Sequence, residues 1–197
     1  MMSLYKSVSR LLFVSFALTA ASCVTEPVET TPGMKFSDTS VIAVGDKSAA
    51  VRKGSTFAWL PDAVRFYKDE RLEKSHIKEL IEKEVVKNIS AKEMNFVESV
   101  NGASYAVAYT AALESSLDDS QIIQRYGLLP GNTQIPSDDA NVEKGSLIIY
   151  VFNTRTDSVI WRSAAQVGVH FDMTDAQRKE RVERIVAEMF QTFPVQE

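Results

Sequence analysis

Gly145-Ser146-Leu147-Ile148-Ile149-Tyr150-Val151-Phe152 decides the fold. The run is apolar on both faces, with Leu147, Ile149 and Val151 on one side and Ile148, Tyr150 and Phe152 on the other. That is the pattern of a strand buried in the middle of a sheet. Asn153 to Asp157 supplies turn residues, and Val159 to about Val169 is apolar again, so the two runs predict an antiparallel hairpin. Upstream, Ser104 to Leu113 alternates strictly. Tyr105, Val107, Tyr109, Ala111 and Leu113 form a bulky face, and Ala106, Ala108, Thr110 and Ala112 form a small one.

The helices lie outside this block. Thr174-Asp175-Ala176-Gln177 is a capping box. It opens a helix whose apolar stripe is Val182, Ile185, Val186, Met189, Phe190 and Phe193, ending before Pro194. A second helix is predicted from about Asp69 to Asn88, with Ile77, Leu80, Ile81 and Val85 on one stripe and Lys78, Glu82, Lys83 and Lys87 in water. Ser40 to Val44, stopped by Gly45-Asp46, reads as a short strand. Ser55 to Leu60, ended by Pro61, reads as another, and Phe96-Val97 precedes the alternating strand. The order β-β-α-β-β-β-β-α predicts an α+β fold, a two-layer sandwich of a mainly antiparallel sheet with two helices on one face.

Glu114 to Lys144 does not fit this scheme. It contains Asp118-Asp119, Asp138-Asp139, Pro130-Gly131-Asn132 and Pro136, and only Asp119 to Tyr126, stopped by Gly127, suggests a helical turn. A connection of this length in a small domain is usually functional or disordered. Asp118, Asp119, Tyr126, Asp138 and Asp139 are therefore the candidate partner-binding residues.

The N-terminus carries an address. Lys6 and Arg10 precede Leu11 to Leu18, an apolar run too short to span a bilayer, and Thr19 to Ser22 are small, so residues 1–22 read as an export signal. Ala20-Ala21-Ser22-Cys23 resembles the lipobox of bacterial lipoproteins, which implies acylation of Cys23, the sole cysteine. Ordinary cleavage, releasing a soluble periplasmic protein, is the alternative. Val24 stands where lipoproteins retained in the inner membrane carry Asp, which points to the outer membrane. Residues 23–35, rich in Pro, Thr and Glu, read as a flexible tether, and 36–197 as a single domain.

Without Lys6 and Arg10 the chain has 20 basic residues against 26 acidic ones. A mildly acidic protein with no basic run has no footprint for nucleic acid, and attachment to a membrane falls to the N-terminal lipid.

Phe57-Ala58-Trp59-Leu60-Pro61, Tyr105 to Tyr109, Gly145 to Ile149, Val159-Ile160-Trp161-Arg162 and Phe193-Pro194 form an ordered series. The series resembles a bacterial envelope lipoprotein family known only as a domain of unknown function, over about Ser55 to Pro194. The chain departs from that pattern at Ser104 and Ser163, where the family has Asp and Gly. It departs also at Asp157, where the family has a turn glycine that Asp replaces tolerably.

No catalytic constellation is evident. His76 and His170 have no adjacent nucleophile or second metal ligand, and nucleophile-elbow, zincin and phosphate-loop motifs are absent. Asp139-Ala140-Asn141-Val142-Glu143 alternates oxygen ligands but lacks the glycine and distal glutamate of a calcium loop. Trp59, Trp161, Tyr105 and Tyr109 read as core. No cofactor or metal is expected. The leading expectation is a non-enzymatic module that binds another envelope component, protein or glycan, through 114–144. Carriage of a lipid or other apolar ligand between sheet and helices comes second. An envelope hydrolase using Asp118 or Asp138 comes last.

Overall fold

The hairpin forms the centre of the sheet. In the computed structural model, which describes residues 38–46, 48–131, 134–135 and 138–196, strand β6 (Val142–Asn153) pairs antiparallel with β7 (Ser158–His170). Asp157 takes a positive φ of 50° in the turn, and Asn153 Oδ1 accepts from the Arg155 backbone N–H at 2.9 Å. The leader, Cys23 and the tether lie outside the described residues.

β5 (Tyr105–Leu113) pairs antiparallel with the other edge of β6, and β1 (Thr39–Gly45) pairs antiparallel with β7. The remaining short strands join in parallel. β2 (Thr56–Trp59) and β3 (Arg65–Phe66) share the free edge of β5, and β4 (Asn95–Phe96) pairs with β2. The strand order is β1-β7-β6-β5-β2-β4, with β3 beside β5. The sheet is therefore mainly antiparallel, as expected, with a parallel margin.

The alternation in β5 sorts the two faces. Val107, Tyr109 and Ala111 join Leu147, Ile149 and Val151 against α1 (Ile77–Ser90) and α3 (Asp175–Met189). Trp161 is fully buried there, its ring 4.9 Å from Phe190 and 5.2 Å from Phe193 between centroids. Thr174 caps α3 and Gln177 completes the box. These two helices are the predicted layer.

The opposite face is also covered. α2 (Asp119–Tyr126) lies within the long segment and packs Ile122, with Leu117 and Leu128, on Ala112, Ile148 and Ala164. Small side chains on that face of β5 and β7 let the helix approach closely. α2 and its flanking residues Leu117 and Leu128 thus add a partial third layer.

The helix predicted continuously from Asp69 is broken. Glu70–Ser75 is a 3-10 segment, His76 is left-handed with φ 48°, and the α-helix begins only at Ile77. Asp69 accepts from the Arg71 backbone and side chain, and Arg71 also reaches Glu143 at 2.6 Å and stacks 4.3 Å above the Phe171 ring. Those contacts hold the segment toward the ends of β6 and β7, and histidine tolerates the left-handed turn that results. Glu82, expected in water, turns inward and accepts from Tyr109 Oη at 2.9 Å. Glu84, on the next turn of α1, is buried and paired with Lys87 at 2.9 Å.

Candidate functional site

A cavity of about 110 Å³ opens between the helix-facing side of the sheet and α3, from Arg178 to Val186. The sequence creates it in three ways. Ala111 and Gly145 contribute almost no side chain where their neighbours on that face carry Tyr109 and Leu147. The break at His76 turns the preceding segment away from the α1 axis, so Leu72 and Ile77 form one wall. Val182, Ile185 and Val186 of α3 form the roof.

Gly145 cannot carry a larger residue without rearrangement. A Cβ there would meet Val169 Cγ2 at 2.6 Å. The glycine reflects close strand packing beside the cavity as well as the cavity itself.

Charge lines the same space. One turn before the apolar stripe of α3, at the positions that would extend it backward, stand Arg178 and Arg181, and both line the cavity. Arg178 is only 9% exposed. One of its terminal nitrogens, Nη2, donates to the Met173 carbonyl at 2.9 Å, and its Nε is buried with no hydrogen-bond partner. Arg181 donates through Nη2 to Asp38, and its Nε is likewise buried and unpartnered. His170, also in the lining, lies 3.1 Å from Asp38 through Nε2. Burial works to raise the Asp38 pKa, but the Arg181 guanidinium and the His170 ring outweigh it and hold the carboxyl below its usual range.

The sequence-predicted residues have other surroundings. Asp118 is the N-cap of α2, accepting from the Gln121 N–H at 2.8 Å. Asp119 accepts from Gln166 Nε2 at 2.6 Å and from Lys144 Nζ at 2.7 Å, joining α2 to the sheet. Tyr126 lies 3.1 Å from Thr110 Oγ1 through its hydroxyl and packs on Tyr150. Asp139 caps a turn, accepting from the Asn141 N–H at 2.8 Å, and Asp138 is exposed. Arg162 donates to the Tyr126 carbonyl at 3.0 Å, and Trp59 is part of the core beside Phe96 and Tyr109. Among the described residues no cluster of three or more His, Cys, Asp or Glu could hold a metal.

Sequence reasoning missed Arg178, Arg181 and Asp38. A signal for the arginines was present: carried back one turn, the stripe Val182, Ile185, Val186 calls for apolar residues and meets guanidiniums instead. Asp38 carried no such signal, because its partners are 132 and 143 residues away.

None of the curated proteins matches this chain. Among solved structures it is similar to the PelC dodecamer from Paraburkholderia phytofirmans, at 9% identity and TM-score 0.49, covering 81% of this chain and 99% of that one. It is similar to a DUF4136 family protein from Bacteroides thetaiotaomicron, at 18% identity and TM-score 0.48, covering 80% and 96%. A PDZ domain protein from Parabacteroides distasonis matches at 11% identity and TM-score 0.41, over 82% of this chain and 36% of that one. The motif series from Phe57 to Pro194 falls inside residues 43–195, which match the family model described as a domain of unknown function, DUF4136, and the chain belongs to that family.

Proposed function

We propose that this protein is a non-enzymatic binding module of the bacterial cell envelope, which holds an apolar ligand in the cavity between the sheet and α3. The observation that carries the reading is the cavity itself. It is walled mostly by apolar side chains, and Arg178, Arg181 and His170 stand in its lining. Pockets of this kind, mostly apolar with a few convergent polar groups, are where proteins hold small molecules. In the same reading the protein is attached to the periplasmic side of the outer membrane by lipid on Cys23. No helix among the described residues is long and apolar enough to cross a membrane.

Native mass spectrometry of protein isolated from its own envelope tests the ligand. The protein is expected to carry a non-covalent adduct that Ala111→Leu, which fills the cavity, abolishes. Wild-type protein that is consistently empty ends this reading. Membrane fractionation of Cys23→Ser tests the anchor, because an unchanged membrane pool removes it.

A second reading, contact with an envelope protein or glycan through 114–144, is favoured by Ile123, which is 55% exposed on α2. Crosslinking in cells should then capture a specific partner that Ile123→Glu loses, and capture of none would count against it.

A further inference from the structure

Arg178 is costly where it stands. A guanidinium stays protonated at any physiological pH, and an ion out of water without a counter-ion costs several kcal/mol. Among the described residues Arg178 has no carboxylate partner, although it is nine-tenths buried in the wall of an apolar cavity. A leucine or methionine there would continue the α3 stripe without that cost. Arg181, three residues on and therefore on the same side of the helix, has a carboxylate partner in Asp38 and still leaves its Nε unsatisfied. Arg71 is already engaged by Asp69 and Glu143.

Resting on the proposal that the cavity holds an apolar ligand, we infer that this ligand is a single-chain amphiphile with a monoanionic head, whose head pairs with Arg178 and Arg181 while its chain enters the cavity. The charge balance sets the valence. Asp38 balances Arg181, and the Arg178 guanidinium is left as one positive charge in the lining. The donors suit an oxyanion, because a guanidinium presents a fork of N–H groups and the protein engages Nη2 of each arginine, on the Met173 carbonyl or on Asp38. Charge-assisted N–H···O bonds of this type are about twice as strong as neutral ones. The volume sets the chain. At about 110 Å³ the space is smaller than the ~150 Å³ core cavity that holds benzene. It takes the end of one chain and excludes a two-chain lipid.

Titration of the purified full-length protein with octanoate, octan-1-ol and octylamine, followed by amide chemical shifts, tests the inference. Octanoate is expected to bind at least tenfold more tightly than octan-1-ol, with octylamine weakest, and the shifts should centre on Ala111, Gly145 and α3. Arg178→Gln should bring octanoate down to the level of the alcohol and leave the alcohol unchanged. Equal binding of octanoate and octan-1-ol, or octanoate affinity indifferent to Arg178→Gln, overturns the anionic head and leaves the apolar cavity standing. Binding of none of the three overturns both. The ranking of the three ligands on wild-type protein decides the matter even if Arg178→Gln fails to fold.

Discussion

Asp38 and Arg181 form an ion pair that joins the beginning of β1 to the second turn of α3 across 143 residues of sequence. His170 at the end of β7 approaches the same carboxylate oxygen, so one side chain ties an edge strand, a neighbouring strand and the helix layer together.

Stability should therefore depend on acid through Asp38. Its folded pKa is depressed, so its contribution is complete above the unfolded value of about 4 and disappears as pH falls through the folded value. Asp38→Asn is expected to cost about 1 kcal/mol at pH 7, since the carboxylate is partly solvated. The variant should lose less stability than wild type between pH 5 and pH 2.5. Urea unfolding at several pH values measures both, and parallel pH profiles would remove Asp38 as the source. Glu143 contributes in the same direction: burial raises its pKa, but the Ser115 N–H and Arg71 more than offset that.

Gly145→Ala should destabilise the sheet by about 1–3 kcal/mol, the usual cost of overpacking. The added methyl meets a Val169 methyl that the strand holds in place. Val169→Ala in the same chain is expected to restore part of the loss. Denaturant midpoints of the two single variants and the double variant give the coupling, and simple additivity would disprove the clash.

Asp119→Ala should loosen α2 more than the rest of the fold. It takes away an acceptor used by buried Gln166 and by Lys144, a change worth about 1–3 kcal/mol where the donors are buried. Amide hydrogen exchange is expected to rise in residues 119–126 while β6 and β7 stay protected. Uniform loss of protection would mean that α2 is integral to global folding.

Thr174→Ala removes the N-cap of α3 and should cost about 1 kcal/mol. Thr174→Ser should keep nearly all of it. Thermal unfolding of the pair separates the hydroxyl's hydrogen bond to Gln177 from the methyl's packing.

Much of the architecture is written in short-range pattern. The alternation of β5 places each side chain on a face with no information beyond its neighbours, and the box Thr174 to Gln177 starts a helix from four residues. The apolar run Gly145 to Phe152 marks the centre of β6, while Val142 to Lys144, which the sequence leaves in the long segment, extend it. The helix expected from Asp69 begins only at Ile77, where its apolar stripe starts, because the residues before it are held by Glu143 and Phe171 on Arg71. The helix in the long segment 114–144 is legible from sequence through its stop at Gly127, but its N-cap at Asp118 is not. The segment did not reveal that small residues on β5 and β7 form the surface on which that helix lies.

What the sequence alone determined is the sheet's two faces and the helix that starts at the capping box of Thr174 and Gln177. These are read from contacts within a few residues, where geometry follows directly from period and cap. Only the tertiary structure decided that Ala111 and Gly145 lie under α3, and that Arg178 and Arg181 line the space between them. A cavity is the gap left by residues from separate elements, and a buried charge is costly only by virtue of what surrounds it. Neither property belongs to any stretch of the chain taken by itself.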